Sequence, residues 1–267
     1  MNWQKMLVGT CLGAVIVSAG EVRTEPWVYA VGETRLKGVL AYPADADGRR
    51  PAVIVIHDWM GCNDFAVGRA KTLAEAGYVA LAADMYGDGR VAENTREAGR
   101  LAGGLKAGDR AELRRRAAAA LDAVKSFHFT DPDRIAIIGY CFGGTVALEL
   151  ARTGAPLRGA VSIHGNLDTP DPEASRGRLR AAVLVLHGAD DPYVKREEIE
   201  AFEREMRAAK ADWQMIYYSG AVHSFANPAA GDDPSRGAAY HAAADRRSWQ
   251  HLLAFFRDIF ESDGPRD

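Results

Sequence analysis

The chain has little of what a redox or metal scaffold needs. Its 267 residues hold three cysteines, Cys11, Cys62 and Cys141, with no C-x-x-C pair and no H-E-x-x-H run. So few thiols do not make a disulfide framework in a large domain, and without compact ligand spacing no metal is expected. Charge of one sign is also scarce: the net charge is −3, so no basic field draws nucleic acid. The run Arg114-Arg115-Arg116 reads as a solvated helix face before the apolar stretch Ala117–Val124. No internal repeat or low-complexity linker is visible. What remains is ordinary globular material, 48% hydrophobic and 26% charged, enough for one domain with a sizeable core.

The N-terminus differs from the rest. Lys5 precedes the nearly uncharged Met6–Ala19, and Val17-Ser18-Ala19 offers the small side chains a signal peptidase reads. The stretch is shorter than the ~20 residues that cross a bilayer. Residues 1–19 are therefore expected to be a secretory signal, cleaved after Ala19, with the protein periplasmic or secreted and no stable membrane span afterwards. An uncleaved anchor or a mis-set start is the alternative. Cys11 lies inside this segment behind Val8-Gly9-Thr10, a poor lipoprotein box. Export would permit a bond between Cys62 and Cys141, but the motif around Cys141 argues for a free thiol.

Beyond the signal, Trp27–Val31 and Arg35–Tyr42 alternate like antiparallel strands around a turn at 31–34. Pro51–His57 is a β-branched run suited to a central strand buried on both faces. Strands are then expected at Tyr78–Ala83, Arg134–Ile138, Leu157–Ile163, Ala181–Leu186 and Trp213–Tyr218. Helices are expected at Phe65–Ala76, Val91–Lys106, Arg110–Phe127 with Asp109 as N-cap, Gly143–Arg152, Lys195–Ala209 and Ala238–Phe260. Strands alternating with helices predict an α/β fold with a mostly parallel sheet covered on both faces, in one domain over 27–262. Ligands of such sheets sit beyond the carboxyl ends of the strands, where His57-Asp58, Cys141, His164, Asp190-Asp191 and His223 all fall.

The sharpest signal is Gly139-Tyr140-Cys141-Phe142-Gly143-Gly144, between an expected strand and an expected helix. This is the strand–turn–helix setting of the G-x-S-x-G elbow, with sulfur in place of oxygen. Side chains two residues to either side of the nucleophile would collide with neighbouring backbone. A helix N-terminus favours thiolate. In this fold the chain order is nucleophile, acid, histidine. Asp191 follows Cys141 by 50 residues, and His223 follows Asp191 by 32. Asp191 is preferred to its neighbour Asp190 because it stands three residues past Gly188. Backbone N–H groups of Phe142 and Trp59 are the expected oxyanion donors. His57, His164 and His187 read as structural histidines at strand ends, and His128, His241 and His251 as surface residues. Trp59, Tyr86, Tyr140, Phe142 and Phe225 line either a pocket or the core.

These motifs, with His57-Asp58-Trp59-Met60-Gly61, Asp84-Met85-Tyr86-Gly87, Gly188 through Val194 and His223-Ser224-Phe225, together resemble the dienelactone hydrolase family over about residues 27–260. The closing stretch, Tyr240 with Ala242–Ala244 and Trp249, is similar to the family's last helix. The resemblance implies a cysteine–histidine–aspartate triad on a compact α/β-hydrolase fold without a separate cap domain. It implies hydrolysis of a small-molecule ester or lactone through an acyl-thioester, with no cofactor. In the best-known members a glutamate holds the resting cysteine; Asp58 stands there, one methylene shorter. Arginines there bind a substrate carboxylate. The position four residues past the histidine is Asn227 here, and Arg96 or Arg100 matches another. A non-hydrolytic thiol redox or binding protein on a hydrolase scaffold is the alternative. The sequence leaves monomer or homodimer undetermined.

Overall fold

The computed structural model describes residues 20–261. The signal-like segment 1–19 with its Cys11, and residues 262–267 with the expected last domain residue, lie outside the described residues. The alternating sequence at the start forms a hairpin of β1 (Val22–Val31) and β2 (Thr34–Pro43), paired from Val22↔Pro43 to Val31↔Thr34. Gly32 takes the left-handed conformation the turn needs, at φ +55°. β1 starts five residues before the expected Trp27. Pro26 falls inside it, which is tolerated because β1 is an edge strand and a missing N–H there costs no inner ladder bond.

Six β-branched and alanine-rich runs make the parallel part of the sheet: β3 (Arg50–Ile56), β4 (Val79–Ala83), β5 (Thr130–Tyr140), β6 (Gly159–Ile163), β7 (Ala182–Gly188) and β8 (Trp213–Tyr218). The order across the eight strands is β1-β2-β4-β3-β5-β6-β7-β8, with β2 antiparallel to β4 and β3 to β8 mutually parallel. From β3 the chain steps to one side for β4 and to the other for β5. That reversal opens a crevice at the carboxyl ends of β3 and β5, the place where doubly wound sheets bind ligands.

Six helices cover the sheet: α1 (Asp64–Glu75), α2 (Thr95–Lys106), α3 (Ala111–Lys125), α4 (Phe142–Arg152), α5 (Arg196–Ala209) and α6 (Ala242–Glu261). The pleat divides the core. Val53, Val55, Ala136 and Ile138 pack with Leu73 of α1 and Phe256 of α6. Their neighbours Ile54, Ile56, Ile135 and Ile137 pack on the other face with Leu121 of α3 and Val146 of α4. α5 adds Ile199, Phe202 and Met206 against Val183 and Val185 of β7. Burial of each such side chain is worth about 1.5–3 kcal/mol relative to exposure. Among the described residues no separate cap domain intervenes, and no helix is long and apolar enough to cross a membrane.

Two helix starts differ from expectation by four residues. α2 begins at Thr95, not Val91, because the Asn94 side chain accepts from Glu97 N and caps it there. α6 begins at Ala242 rather than Ala238, because His223 pairs with Ala238 as an isolated parallel bridge and draws that segment out of the helix.

Beneath the loop after β6 lies an ion network on α3, α4 and α5. Glu149, wholly buried, accepts from Arg110 (3.2 Å), Arg114 (2.8 Å) and Arg152 (3.3 Å). Arg152 also forks onto Glu205 at 2.8 Å through both Nε and Nη2, and donates to the Leu167 carbonyl at 2.8 Å. Arg110 reaches the Asp168 carbonyl at 2.7 Å and the Asp168 carboxylate. The network therefore fixes the loop that carries Asn166 to the site. Glu149→Ala strips the central acceptor from buried guanidinium groups and is expected to cost about 3–5 kcal/mol in urea unfolding. A loss below about 1 kcal/mol, the scale of an exposed ion pair, would contradict this account.

Candidate active site

Cys141 sits between β5 and α4 at φ +52°, ψ −114°, a backbone conformation rare outside glycine. The surrounding sequence makes the turn sterically possible. A Cβ on Gly139 would overlap the Gly143 carbonyl, and one on Gly143 would lie 2.5 Å from the Ile56 oxygen and 2.6 Å from the His57 oxygen. The strained residue is held by its N–H, which reaches the Ile163 carbonyl at 3.0 Å and His164 Nδ1 at 3.1 Å.

The structure brings Cys141, His223 and Asp191 together. His223 Nε2 lies 3.1 Å from Cys141 Sγ, and His223 Nδ1 lies 2.8 Å from Asp191 Oδ2. Asp191 is buried and its other oxygen accepts from Tyr193 N at 2.8 Å, whereas Asp190 is exposed and its carboxylate has no part in the arrangement. The His223 loop is pinned at both ends of the residue: His223 N donates to the Gly237 carbonyl, and Ala239 N to the His223 carbonyl. Burial pushes the His223 pKa down, but the Cys141 charge and the hydrogen bonds to Asp191 and Cys141 outweigh it and raise it to about 10. Those contacts favour a proton on the ring.

A cleft of about 870 Å³ opens onto Cys141 and His223. Asp58 and Trp59 line it from the loop after β3, and Asn227 and Arg236 from the segment after His223. Asp58 makes no hydrogen bond to Cys141. Its Oδ1 accepts from Met60 N at 2.8 Å and its Oδ2 from Asn227 Nδ2 at 3.0 Å. The Asp58–Asn227 bond thus ties the Trp59 loop to the histidine loop across the cleft. Phe142 supplies the first N–H of α4, one of the donors a helix leaves unpaired. Its ring is buried, 5.9 Å from that of His57 and 5.8 Å from that of Tyr86.

Three candidates for the substrate surface stand elsewhere. Arg96 does not line the cleft: with the helix start moved to Thr95, Val91 and Thr95 face the site, and Arg96 lies with Glu93, Glu97 and Arg100 round a separate depression. Phe225 is wholly buried against His164 and Tyr218, so it is core. Tyr86 is nearly buried and supports the loop, its hydroxyl donating to the Trp59 carbonyl at 2.8 Å. Burial first, then the nearby Asp58 and Cys141 charges, push its phenol well up, so it stays a donor. Sequence reasoning passed over Asn166, Tyr193 and Arg236 on the cleft wall, and the bond from Asn227 to Asp58, none of which carries a spacing signal. Cys62 is a free thiol that donates to the Ala82 carbonyl at 3.5 Å, and burial pushes it up to about 12. Among the described residues no group of three or more His, Cys, Asp or Glu is arranged to share a metal ion.

A parallel-centred sheet, a glycine-lined elbow after β5 and reactive side chains on the strand ends define an α/β-hydrolase. The profile of the dienelactone hydrolase family matches residues 36–260, and the chain belongs to that family. A Yersinia pestis protein named "Putative carboxymethylenebutenolidase" is 32% identical over 236 residues, covering 83% of this chain and 83% of its own. Among solved structures, one named m3DLH superposes with a TM-score of 0.86 at 42% identity, covering 90% of this chain and 100% of that one. A dienelactone-hydrolase-like promiscuous phosphotriesterase from metagenomic libraries gives 0.85 at 43%, with the same coverage. The protein is accordingly a hydrolase of lactones or esters.

The raised His223 pKa has a signed consequence for stability. The native state holds a proton that the unfolded chain releases near 6.5. The stabilisation is full below about 6.5 and is lost as pH rises through about 10. The gap in unfolding free energy between the wild type and His223→Asn is expected to narrow over that interval, and a gap independent of pH would contradict it. Asn227→Ala frees the Asp58 carboxylate and loosens the Trp59 loop. Its kcat/KM on an aryl ester is expected to fall about tenfold, equal to ~1.4 kcal/mol. Unchanged steady-state kinetics would remove the clasp from the account.

Proposed function

We propose that Cys141 is the nucleophile of a cysteine–histidine–aspartate triad that cleaves esters or lactones through an acyl-thioester. The observation that carries this is the chain of short contacts from Asp191 Oδ2 to His223 Nδ1 and from His223 Nε2 to Cys141 Sγ, 2.8 and 3.1 Å. The imidazole takes the thiol proton, and Asp191 holds the ring in the tautomer and direction this needs. The sulfur adds to the substrate carbonyl carbon, forming a C–S bond and an oxyanion. N–H groups of Phe142 and Trp59 donate hydrogen bonds to that oxyanion, each worth roughly 3 kcal/mol when preorganised. The tetrahedral species collapses by breaking the acyl C–O bond, and the His223 imidazolium protonates the departing alkoxide. In a lactone the new hydroxyl stays on the acyl chain. Water then gives a proton to His223, adds to the thioester carbon and expels the sulfur, releasing the carboxylic acid.

A thiolate is a good nucleophile toward activated esters and lactones, and amine leaving groups are harder to expel, so activated esters and lactones are the substrates of choice. One structural relative is named a promiscuous phosphotriesterase, which adds a neutral phosphotriester to the panel to be screened. Cys141→Ala is expected to lower kcat/KM on an activated aryl ester at least about 10³-fold and to abolish alkylation of the native protein by iodoacetamide at this position. Full turnover in that variant would refute the nucleophile. A wild-type protein whose Cys141 alkylates but which turns over no ester, lactone or phosphotriester would instead support a thiol redox or binding role.

A further inference from the structure

Three buried histidines stand at strand ends beside the site, and the proposed chemistry uses none of them: His57, His164 and His187. His57 is bonded at both ring nitrogens, Nδ1 donating to the Asp58 carbonyl and Nε2 accepting from Met85 N at 3.2 Å. It is a satisfied core histidine. His187 packs edge-on against Tyr217, and its Nδ1 is buried without a partner, but it makes no hydrogen bond to Cys141.

His164 differs from both. It follows β6, beside the elbow, and its Nδ1 accepts the Cys141 backbone N–H at 3.1 Å. Accepting there requires the proton on Nε2, and that nitrogen is buried without a hydrogen-bond partner. The ring meets His223 in a T-shaped contact at 5.4 Å and Phe225 in another at 5.2 Å. Tyr193 meets the His223 ring in the same manner at 5.3 Å. The backbone of His164 is itself left-handed, at φ +42°, as are those of Cys141 at +52° and Ser224 at +59°. Strain at a non-glycine residue and an orphaned buried donor both cost stability, and such features concentrate at functional sites. Burial, reinforced by the neighbouring His223, holds the imidazole well below its usual pKa and keeps it a neutral acceptor.

We propose that His164 is a positioning residue, which anchors the Cys141 backbone through Nδ1 and packs on the His223 ring so that Sγ and Nε2 stay within proton-transfer distance. This rests on the Cys141–His223 chemistry proposed above. One ring touches both reacting partners, so a shift at residue 164 moves sulfur and imidazole apart together. Geometry errors of about 1 Å at a reacting centre cost on the order of a hundredfold in rate.

The test compares His164→Asn, which keeps an acceptor atom where Nδ1 stands, with His164→Phe, which keeps a ring and loses the acceptor. Each is assayed for kcat and KM on an activated aryl ester, for iodoacetamide alkylation of Cys141 against pH, and for Tm. His164→Phe is expected to lower kcat at least tenfold with KM within about twofold, and to move the alkylation midpoint to higher pH. His164→Asn is expected to recover at least a third of the wild-type kcat and a midpoint close to that of the wild type. An Asn variant as impaired as the Phe variant, or wild-type kcat and midpoint in both, overturns the proposal. If His164→Phe does not fold, the Asn variant decides alone: a kcat below a tenth of the wild type, or an upward-shifted midpoint, overturns it. Cys141→Ala is run alongside: activity in that control sinks the underlying triad, while an inert control with wild-type His164 variants sinks only this inference.

Discussion

The turn at Cys141 has no room for a Cβ on either flank. A Cβ on Gly139 would run into the backbone of Gly143, and one on Gly143 would run into the carbonyls of Ile56 and His57 at the end of β3. Everything else at the site answers to that crowding. Cys141 must stand in a positive-φ conformation, its sulfur must leave the turn toward the cleft, and the first turn of α4 must begin at once with Phe142. The same close approach sets β3 and β5 side by side at the point where the strand order reverses, so the crevice and the elbow are one feature of the sheet.

The remaining elements bring partners to that fixed point. Gly188 lies where a Cβ would meet the Ala221 carbonyl at 2.5 Å, so the turns after β7 and β8 can run against each other. That juxtaposition puts the Asp191 carboxylate on His223. Two side-chain bonds then close the rim: Asn227 to Asp58 across the cleft, and Tyr86 to the Trp59 carbonyl. Asp58 is occupied by these contacts rather than by the cysteine, which is what leaves Sγ beside the imidazole. Below, the Glu149-centred ion network holds the loop after β6 in place.

Sheet, helices and the three central side chains were legible in the sequence, because each has a local cause. Buried parallel strands need β-branched runs such as Val53-Ile54-Val55-Ile56, the elbow needs glycines at short spacing, and chain order puts a carboxylate and then an imidazole at later strand ends. The places of Phe225, Tyr86 and Arg96 depend on facts that no window of sequence carries. Whether Phe225 or Tyr86 faces solvent or core is decided by what packs on it, here His164 and the Trp59 loop. Arg96 was misplaced because Asn94, rather than a residue near Val91, caps the helix, and a four-residue shift turns a different face to the cleft. The clasp between Asp58 and Asn227 joins residues 169 apart and has no local signature. Within the described residues the sequence's parallel-sheet logic held; its expectations for 1–19 fall outside them.

The proposed chemistry turns on a covalent bond between substrate acyl carbon and Cys141 sulfur. Mixing the enzyme with excess activated ester, quenching in acid within milliseconds and mapping the product by peptide mass spectrometry tests that bond directly. The expected result is an acyl mass added to the peptide bearing Cys141, released by hydroxylamine and reduced as hydrolysis completes. Rapid turnover with no adduct on Cys141, or with the acyl group on another residue, would contradict it.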